Sequence, residues 1–451
     1  MNIWRKIQDK LTYVRIIAVG YLMVIVAGTL LLLLPFATAK GKSTDFLTAL
    51  FTATTSTCVT GLVVVDTGTH WSLFGQLVIL LMIQVGGLGF MTMGMLLAMM
   101  LKRKITLKTR GLLQESMNGM QVGGIVRVVR LALSGTAVIE LCGAVLLAIR
   151  FIPIFGLGRG IYYSIFHSVS AFCNAGIDLM GRHYGEYASF VPFEGDILIN
   201  VVIMALIIIG GIGFFVWADI KKKKLQIKKY ALYTKIALFM TAVLLLGGAV
   251  LFFLFENNNL LQGMSLKDKI LGAAFSSVTA RTAGFNTIDT AGLTSASKLF
   301  DIVLMFIGGS PGSTAGGIKT VTMLVLVAYV WANLRGSKGV NIFKRRLDDD
   351  DIRKASNVMV ISLLLAIVAA VLICFMQPEL DAPDVLFEIF SAIGTVGMST
   401  GITRQLSIGS RIVIILLMYC GRIGSMSFAL SFTERKKVAQ VQLPVEKIMI
   451  G

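Results

Sequence analysis

A chain of 451 residues that is 56% hydrophobic and only 15% charged, with a mean hydropathy of +0.81, is neither a soluble globular enzyme nor a disordered scaffold. Apolar stretches longer than about 18 residues recur along its whole length, which marks a multispanning helical membrane protein and not a barrel of short alternating strands. The net charge of +18 does not point to nucleic acid, because Lys and Arg cluster between the apolar runs, as in the loops on one face of a membrane protein.

Taken in chain order, Trp4-Arg5-Lys6 precede an apolar run too long for a secretory core, so Ile16 to Phe36 reads as a permanent helix and not as a cleaved leader. Further spans are predicted at Leu73 to Leu101, Leu131 to Phe155, Ile197 to Ala218, Ala231 to Phe255, Leu299 to Val330, Val358 to Met376 and Ile412 to Phe432. Between the odd and even spans lie weaker segments, Phe46 to Val65, Tyr162 to Ile177, Lys269 to Phe285 and Val385 to Met398. If all four re-enter without crossing, the basic loops gather on the N-terminal side and the opposite face is slightly acidic, as the positive-inside rule requires. Counting only the first as a crossing would place the Lys102 to Arg110 cluster on the wrong face.

A unit of span, short half-helix, small-residue turn and span therefore occurs four times. The turns read Val59-Thr60-Gly61, Asn174-Ala175-Gly176, Thr282-Ala283-Gly284 and Thr395-Val396-Gly397, their glycines 115, 108 and 113 residues apart. A second glycine cluster follows each at 25, 34, 24 and 24 residues, beginning at Gly86, Gly210, Gly308 and Gly421. Two features at matched offsets in four places define an internal repeat. The expected fold is an all-α polytopic membrane protein: four membrane-pore-membrane repeats in pseudo-fourfold array around one central ion pore, with eight transmembrane spans and four re-entrant half-helices. Its parts are an N-terminal segment 1–14, repeats at 15–103, 127–220, 230–335 and 354–432, and a tail at 433–451.

Irregular backbone at membrane depth survives only where protein buries it or water reaches it. Four such turns imply a shared axis, and glycines there let carbonyl oxygens replace the hydration shell of an alkali cation. Each half-helix adds the negative end of its dipole. No Asp or Glu occurs inside the turns, which favours a dehydrated monovalent ion. Asp66, Asp178 and Asp289 follow closely and read either as a cation-concentrating mouth or as solvated loop acids. The second glycine clusters read as helix packing or as ion contacts.

Within the sixth span, Gly308-Gly309-Ser310-Pro311-Gly312-Ser313-Thr314-Ala315-Gly316-Gly317 holds five glycines and a proline, at about 1 kcal/mol per glycine and about 3 kcal/mol for the proline. A break in mid-membrane follows, read as a movable plug beneath the turns or as a static kink. Lys319 and Arg422 are the basic residues inside spans, where a cation is expensive unless it is paired or hydrated; Lys319 either joins this loop or snorkels to the interface. Glu140 reads as a buried structural partner or a proton site. The five cysteines and three histidines form no disulfide, zinc or catalytic pattern.

Four membrane-pore-membrane repeats with one glycine per turn resemble the Trk/Ktr/HKT superfamily of potassium transporters. Thr395-Val396-Gly397 is similar to the start of the potassium-channel filter, and Thr279 to Asn286 resembles the family's third filter. The short chain, Gly86 to Phe90 and Gly421 to Gly424 bring it nearest the bacterial Ktr-type membrane subunit. The resemblance implies a bacterial cytoplasmic-membrane protein, both termini cytoplasmic, that is not an enzyme and takes up potassium through backbone carbonyls of the twelve turn residues. Gly61 implies potassium selectivity, where serine in some plant relatives accompanies sodium transport. It further implies gating by the 308–317 loop with Lys319 and Arg422, sodium as a possible activator, no organic cofactor, a homodimer, and a cytosolic ring of nucleotide-binding RCK subunits. Lys221 to Lys224, Arg345-Arg346 and the tail from Glu434 are candidate contacts for that ring or for anionic lipid. An ion-coupled carrier of another small cation or solute is the alternative; it should show paired broken helices, and the sequence suggests only one broken span.

Overall fold

The computed structural model describes residues 12–89, 92–96, 107–116, 124–337, 339–425, 428 and 446. The first eleven residues and, except for Glu446, the tail expected at 433–451 lie outside the described residues. A first unit runs through α1 (Tyr13–Leu32), α2 (Phe46–Cys58) and α3 (Leu73–Leu88). Beyond α4 (Leu107–Ser116), a second consists of α5 (Ile125–Phe155), α6 (Leu157–Phe172) and α7 (Ile197–Ile212), continued by α8 (Phe214–Lys223). In the third, α9 (Leu232–Glu256), α10 (Leu266–Thr279) and α11 (Ser295–Phe306) are followed across a loop by α12 (Thr320–Leu334). A two-stranded ribbon, β1 (Asn341–Ile342) against β2 (Arg345–Arg346), leads to the fourth: α13 (Asp349–Met376), α14 (Ala382–Gly394) and α15 (Ile408–Ile423).

Each unit opens with a helix long and apolar enough to cross a bilayer: α1, α5, α9 and α13. Their outward side chains are largely apolar, Leu141 on α5, Leu246 on α9 and Val371 on α13 all being more than half exposed. Lipid is the solvent in which that surface costs nothing. Asp348 caps α13, and Asp349 to Asp351 fill its first turn, where the helix dipole favours negative charge. The third helix of every unit, α3, α7, α11 and α15, starts on a side-chain cap, Ser72, Asp196, Thr294 and Ser407 each accepting a backbone N–H of the first turn.

Two expectations need correction. The even spans are not continuous: α3, α7 and α15 stop at Leu88, Ile212 and Ile423, each followed by a glycine of positive φ, Gly89 at 84°, Gly213 at 105° and Gly424 at 95°. Between α7 and α8 the axis turns by 90°. Since α11 also ends at Phe306, all four units break near the second glycine cluster, not the third alone. A glycine inside an apolar run permits both continuation and a sharp turn, and the sequence pattern does not separate them. The second half-helix begins at Leu157, not Tyr162, so His167 stands in its later turns instead of at its start.

Candidate functional site

The four half-helices α2, α6, α10 and α14 lead into the pore turns. In every turn the first residue is left-handed, Val59, Asn174, Thr282 and Thr395 having φ of 57°, 59°, 73° and 48°, and so is the glycine, Gly61, Gly176, Gly284 and Gly397 having φ of 100°, 62°, 82° and 91°. The residue between them is not. Backbone that alternates in hand turns successive carbonyls toward one side, the arrangement a dehydrated cation requires. A non-glycine residue in this region costs about 1–3 kcal/mol and persists only where its surroundings hold it. Those surroundings are tight: the turn residues are buried, Gly397 partly.

The four turns meet one another in ring order. A Cβ built on Gly61 would lie 2.5 Å from the Ala175 carbonyl oxygen, and one on Gly176 would lie 2.5 Å from that of Ala283. On Gly284 it would collide with the Val396 carbonyl, and on Gly397 with that of Thr60, closing the circle. Four segments widely spaced in sequence thus share one centre, at which each glycine is required both by its φ and by its neighbour's carbonyl.

A hydroxyl in the last turns of each half-helix supports this geometry. Thr55 Oγ1 accepts from the Gly61 N–H at 2.9 Å, and Ser391 Oγ from the Gly397 N–H at 3.1 Å. In the other two units the hydroxyl donates to the carbonyl just past the glycine, Ser170 to Ile177 at 2.7 Å and Thr279 to Phe285 at 2.7 Å. The sequence reading missed these four. A Ser or Thr five or six residues before every turn glycine was the available signal.

On one side the glycines open into a small mouth of about 150 Å³, lined by all four and by Asp66, Asp178, Asp289, Tyr187 and Arg404. Its acids are tied to backbone: Asp66 accepts from Thr69 N at 2.8 Å and Tyr187 N at 3.0 Å, Asp178 from Met180 N at 2.9 Å, Asp289 from Ala291 N at 3.0 Å. They line the mouth and also shape its walls.

On the other side lies the loop between α11 and α12. It is no kink but a folded segment whose ends pair, Ile307 bridging Ile318 in parallel with the Gly308 N–H on the Ile318 carbonyl at 2.9 Å. Ser310 N and Thr314 N donate to the Gly211 and Gly210 carbonyls, and the Gly312 carbonyl accepts from Phe214 N at 2.8 Å. Protein groups thus satisfy these backbone positions. The loop's apex sits against two half-helix ends: the Thr314 hydroxyl donates to the Phe172 carbonyl at 3.0 Å, and Gly316 packs on Thr395 and Gly394 so closely that a Cβ there would collide with the Thr395 hydroxyl.

Arg422, at the end of α15, donates from Nη1 to the Thr314 carbonyl at 2.7 Å, and from Nη2 to the Gly86 carbonyl and, at 3.1 Å, to that of Gly87. One guanidinium thereby bridges the loop to the end of α3, whose last carbonyls lack helical partners. Lys319 does not snorkel; its ammonium donates to the Ala315 and Gly316 carbonyls at 2.8 and 3.1 Å. The second glycine clusters serve packing. A Cβ on Gly86, Gly210 or Gly421 would strike the carbonyl of Thr57, Phe172 or Ile393 at the end of a half-helix. Glu140 on α5 accepts from Gln84 Nε2 at 3.1 Å, and its own backbone carbonyl takes the Ser168 hydroxyl at 2.6 Å. Lys221 to Lys223 end α8 with Lys224 just past it, and Arg345-Arg346 form β2; the remaining proposed contact, the tail, lies outside the described residues apart from Glu446.

Helices long and apolar enough to cross a bilayer, four half-helices and a ring of buried turns define a multi-pass membrane transport protein. Comparison with known proteins agrees. The model of the TrkH family, described as a cation transport protein, matches residues 8–440. The chain is 39% identical over 453 residues to the potassium/sodium uptake protein NtpJ of Enterococcus hirae, covering 99% of both chains. It is 39% identical over 441 residues to the Ktr system potassium uptake protein B of Bacillus subtilis, covering 97% of this chain and 96% of that one. The crystal structure of the potassium transporter TrkH from Vibrio parahaemolyticus shares the fold, with a TM-score of 0.73 at 16% identity over 94% of this chain and 86% of that one. The chain belongs to the TrkH family of cation transport proteins, and within the Trk/Ktr superfamily it is of the Ktr type.

Proposed function

We propose that this protein takes up potassium across the cell membrane through a filter of backbone carbonyls at the four turns. The observation that carries the reading is the closed ring: each turn glycine abuts the carbonyl of the next turn, so the oxygens of Thr60, Ala175, Ala283 and Val396 gather about one axis with the alternating backbone that exposes carbonyls. Potassium is the substrate, as the names of relatives at 39% identity support, and the absence of carboxylates within the turns fits a monovalent ion stripped of water. Sodium, which the Enterococcus relative's name includes, acts as an activator.

The 308–317 loop is the gate. It lies against the Phe172 and Thr395 ends of two half-helices, opposite the mouth, and Arg422 and Lys319 hold it by bonds to carbonyls alone. Such a segment can leave and return without breaking a helix. The mouth faces outward and both termini face the cytoplasm, as the basic loops favour. The 15–103, 127–220, 230–335 and 354–432 repeats act as one filter per chain. Two chains form a homodimer, and a cytosolic nucleotide-binding ring of the RCK type controls the gate through the basic ends of α8 and β2.

The test is growth at low potassium of cells deprived of their own uptake systems. Wild type restores growth and Gly61→Ser weakens potassium preference over sodium by on the order of tenfold, because a side chain at φ 100° and 2.5 Å from the Ala175 carbonyl must displace one oxygen of the ring. Wild-type protein that reaches the membrane without restoring growth sinks the reading.

A further inference from the structure

Behind the pore turns, the four units differ. Nine residues before the turn glycine, on the half-helix, stand Thr52, His167, Phe275 and Glu388. His167 is fully buried; its Nδ1 lies 2.7 Å from the Tyr163 carbonyl and its Nε2 accepts from the Leu179 N–H at 3.1 Å. Because Nε2 is the acceptor, Nδ1 carries the only ring proton. Glu388, also buried, accepts from the Ser399 hydroxyl at 2.9 Å and from the Thr403 hydroxyl. Leu179, Ser399 and Thr403 belong to the arms by which the chain leaves the turns and lines the mouth. In these two units, then, the half-helix reaches past its own turn to fasten the arm beyond it.

The other two units have no such fastening at this position. Thr52 spends its hydroxyl on the Thr48 carbonyl of its own helix at 2.9 Å, and Phe275 has no polar atom. Ser276, the match if the shorter third turn is aligned from its helix end, donates to Gly272 of its own helix at 2.9 Å. Their arms lean instead on the fastened ones. The Tyr187 hydroxyl donates to the Val64 carbonyl at 3.3 Å, Ser189 Oγ accepts from Asn286 N at 3.1 Å, Phe190 N donates to the Asn286 carbonyl at 2.8 Å, and the Thr290 hydroxyl donates to the Ser399 carbonyl at 2.5 Å. In ring order the fastened units are the second and fourth, which face each other across the pore.

We propose that His167 and Glu388 are positioning residues that hold the mouth-side arms of all four turns across one diagonal of the pore, and so set how strongly the turns distinguish potassium from sodium. Neither touches the ion. Discrimination between two cations that differ in radius requires a fixed number of oxygens at fixed positions, and a fixed arm transmits that constraint to the glycine beside it. The proposal rests on the potassium-uptake reading.

The experiment is rubidium uptake into vesicles reconstituted with the full-length chain, with sodium as competitor. His167→Ala and Glu388→Ala should each strengthen sodium competition on the order of tenfold, the scale of losing hydrogen bonds to a buried, polar anchor. His167→Gln and Glu388→Gln, which keep an acceptor, should stay near wild type, and Thr52→Ala and Ser276→Ala should be silent. Should the alanine variants fail to accumulate, Ser399→Ala with Thr403→Val removes the arm-side partners of Glu388 and must give the same shift. Reduced uptake at an unchanged competition ratio, or an equal shift in Thr52→Ala, overturns the proposal while leaving potassium uptake standing. A wild-type protein with no preference between the ions overturns both.

Discussion

At the scale of single residues, Arg422 repays the closest reading. Its three carbonyl partners come from the loop and from the end of α3, more than three hundred residues away in the case of Gly86. A hydrogen bond to a charged group contributes about 1.5–3 kcal/mol, so Arg422→Ala should release the loop and raise resting flux at least about tenfold, with the potassium-to-sodium ratio unchanged. Arg422→Lys should rescue only part of the effect, because a compact ammonium cannot fork to both partners. Flux measurements in vesicles decide it; unchanged flux at normal protein levels sinks the role. That this arginine would meet the loop followed from the family resemblance, while the sequence by itself said only that a cation inside a span needs acceptors. Its second attachment was not, because nothing local to Gly86 announces a distant donor.

Elements were legible to the degree that they repeat. Four glycines at near-equal intervals revealed the half-helices and turns, whereas the breaks in α3, α7 and α15 were hidden, because glycines in an apolar run serve helix contact and helix termination alike. Here they do both: Gly210 packs on the Phe172 carbonyl, and Gly213 turns the chain at φ 105°. Gly213→Ala should therefore be costly where Gly247→Ala on α9, with open space around it, is not. A left-handed alanine costs about 1–2 kcal/mol, and its Cβ would press within 2.8 Å of the Pro311 carbonyl. Thermal unfolding in detergent should fall by a few degrees for the former only. Equal midpoints for the two variants would show that the joint between α7 and α8 tolerates a side chain. Two of the half-helices, α2 and α10, start on side-chain caps, and Asp45→Ala on α2 should lower stability by about 1 kcal/mol in the same unfolding measurement.

The whole molecule has two unlike ends, a small mouth lined partly by acids and a face that carries the basic ends of α8 and β2. Cysteines introduced at Asn258, beyond α9, and at Lys222, on α8, should react with a membrane-impermeant thiol reagent from opposite sides, Asn258→Cys in intact cells and Lys222→Cys only after permeabilisation. The reverse pattern would invert the proposed direction of the mouth. Composition alone announced a membrane protein, loop charge suggested its orientation and the repeated turns implied a shared axis, but which carbonyl meets which glycine around it was visible only with the four hairpins side by side. That ring has a consequence for biogenesis. Val59, Asn174, Thr282 and Thr395 adopt conformations that no isolated hairpin would keep, and each turn is completed by a carbonyl of its neighbour. During translation the earliest turn must therefore wait, unfinished, until the last has left the ribosome and swung into place beside it. A nascent chain halted before Gly397 would present the bilayer with an incomplete circle.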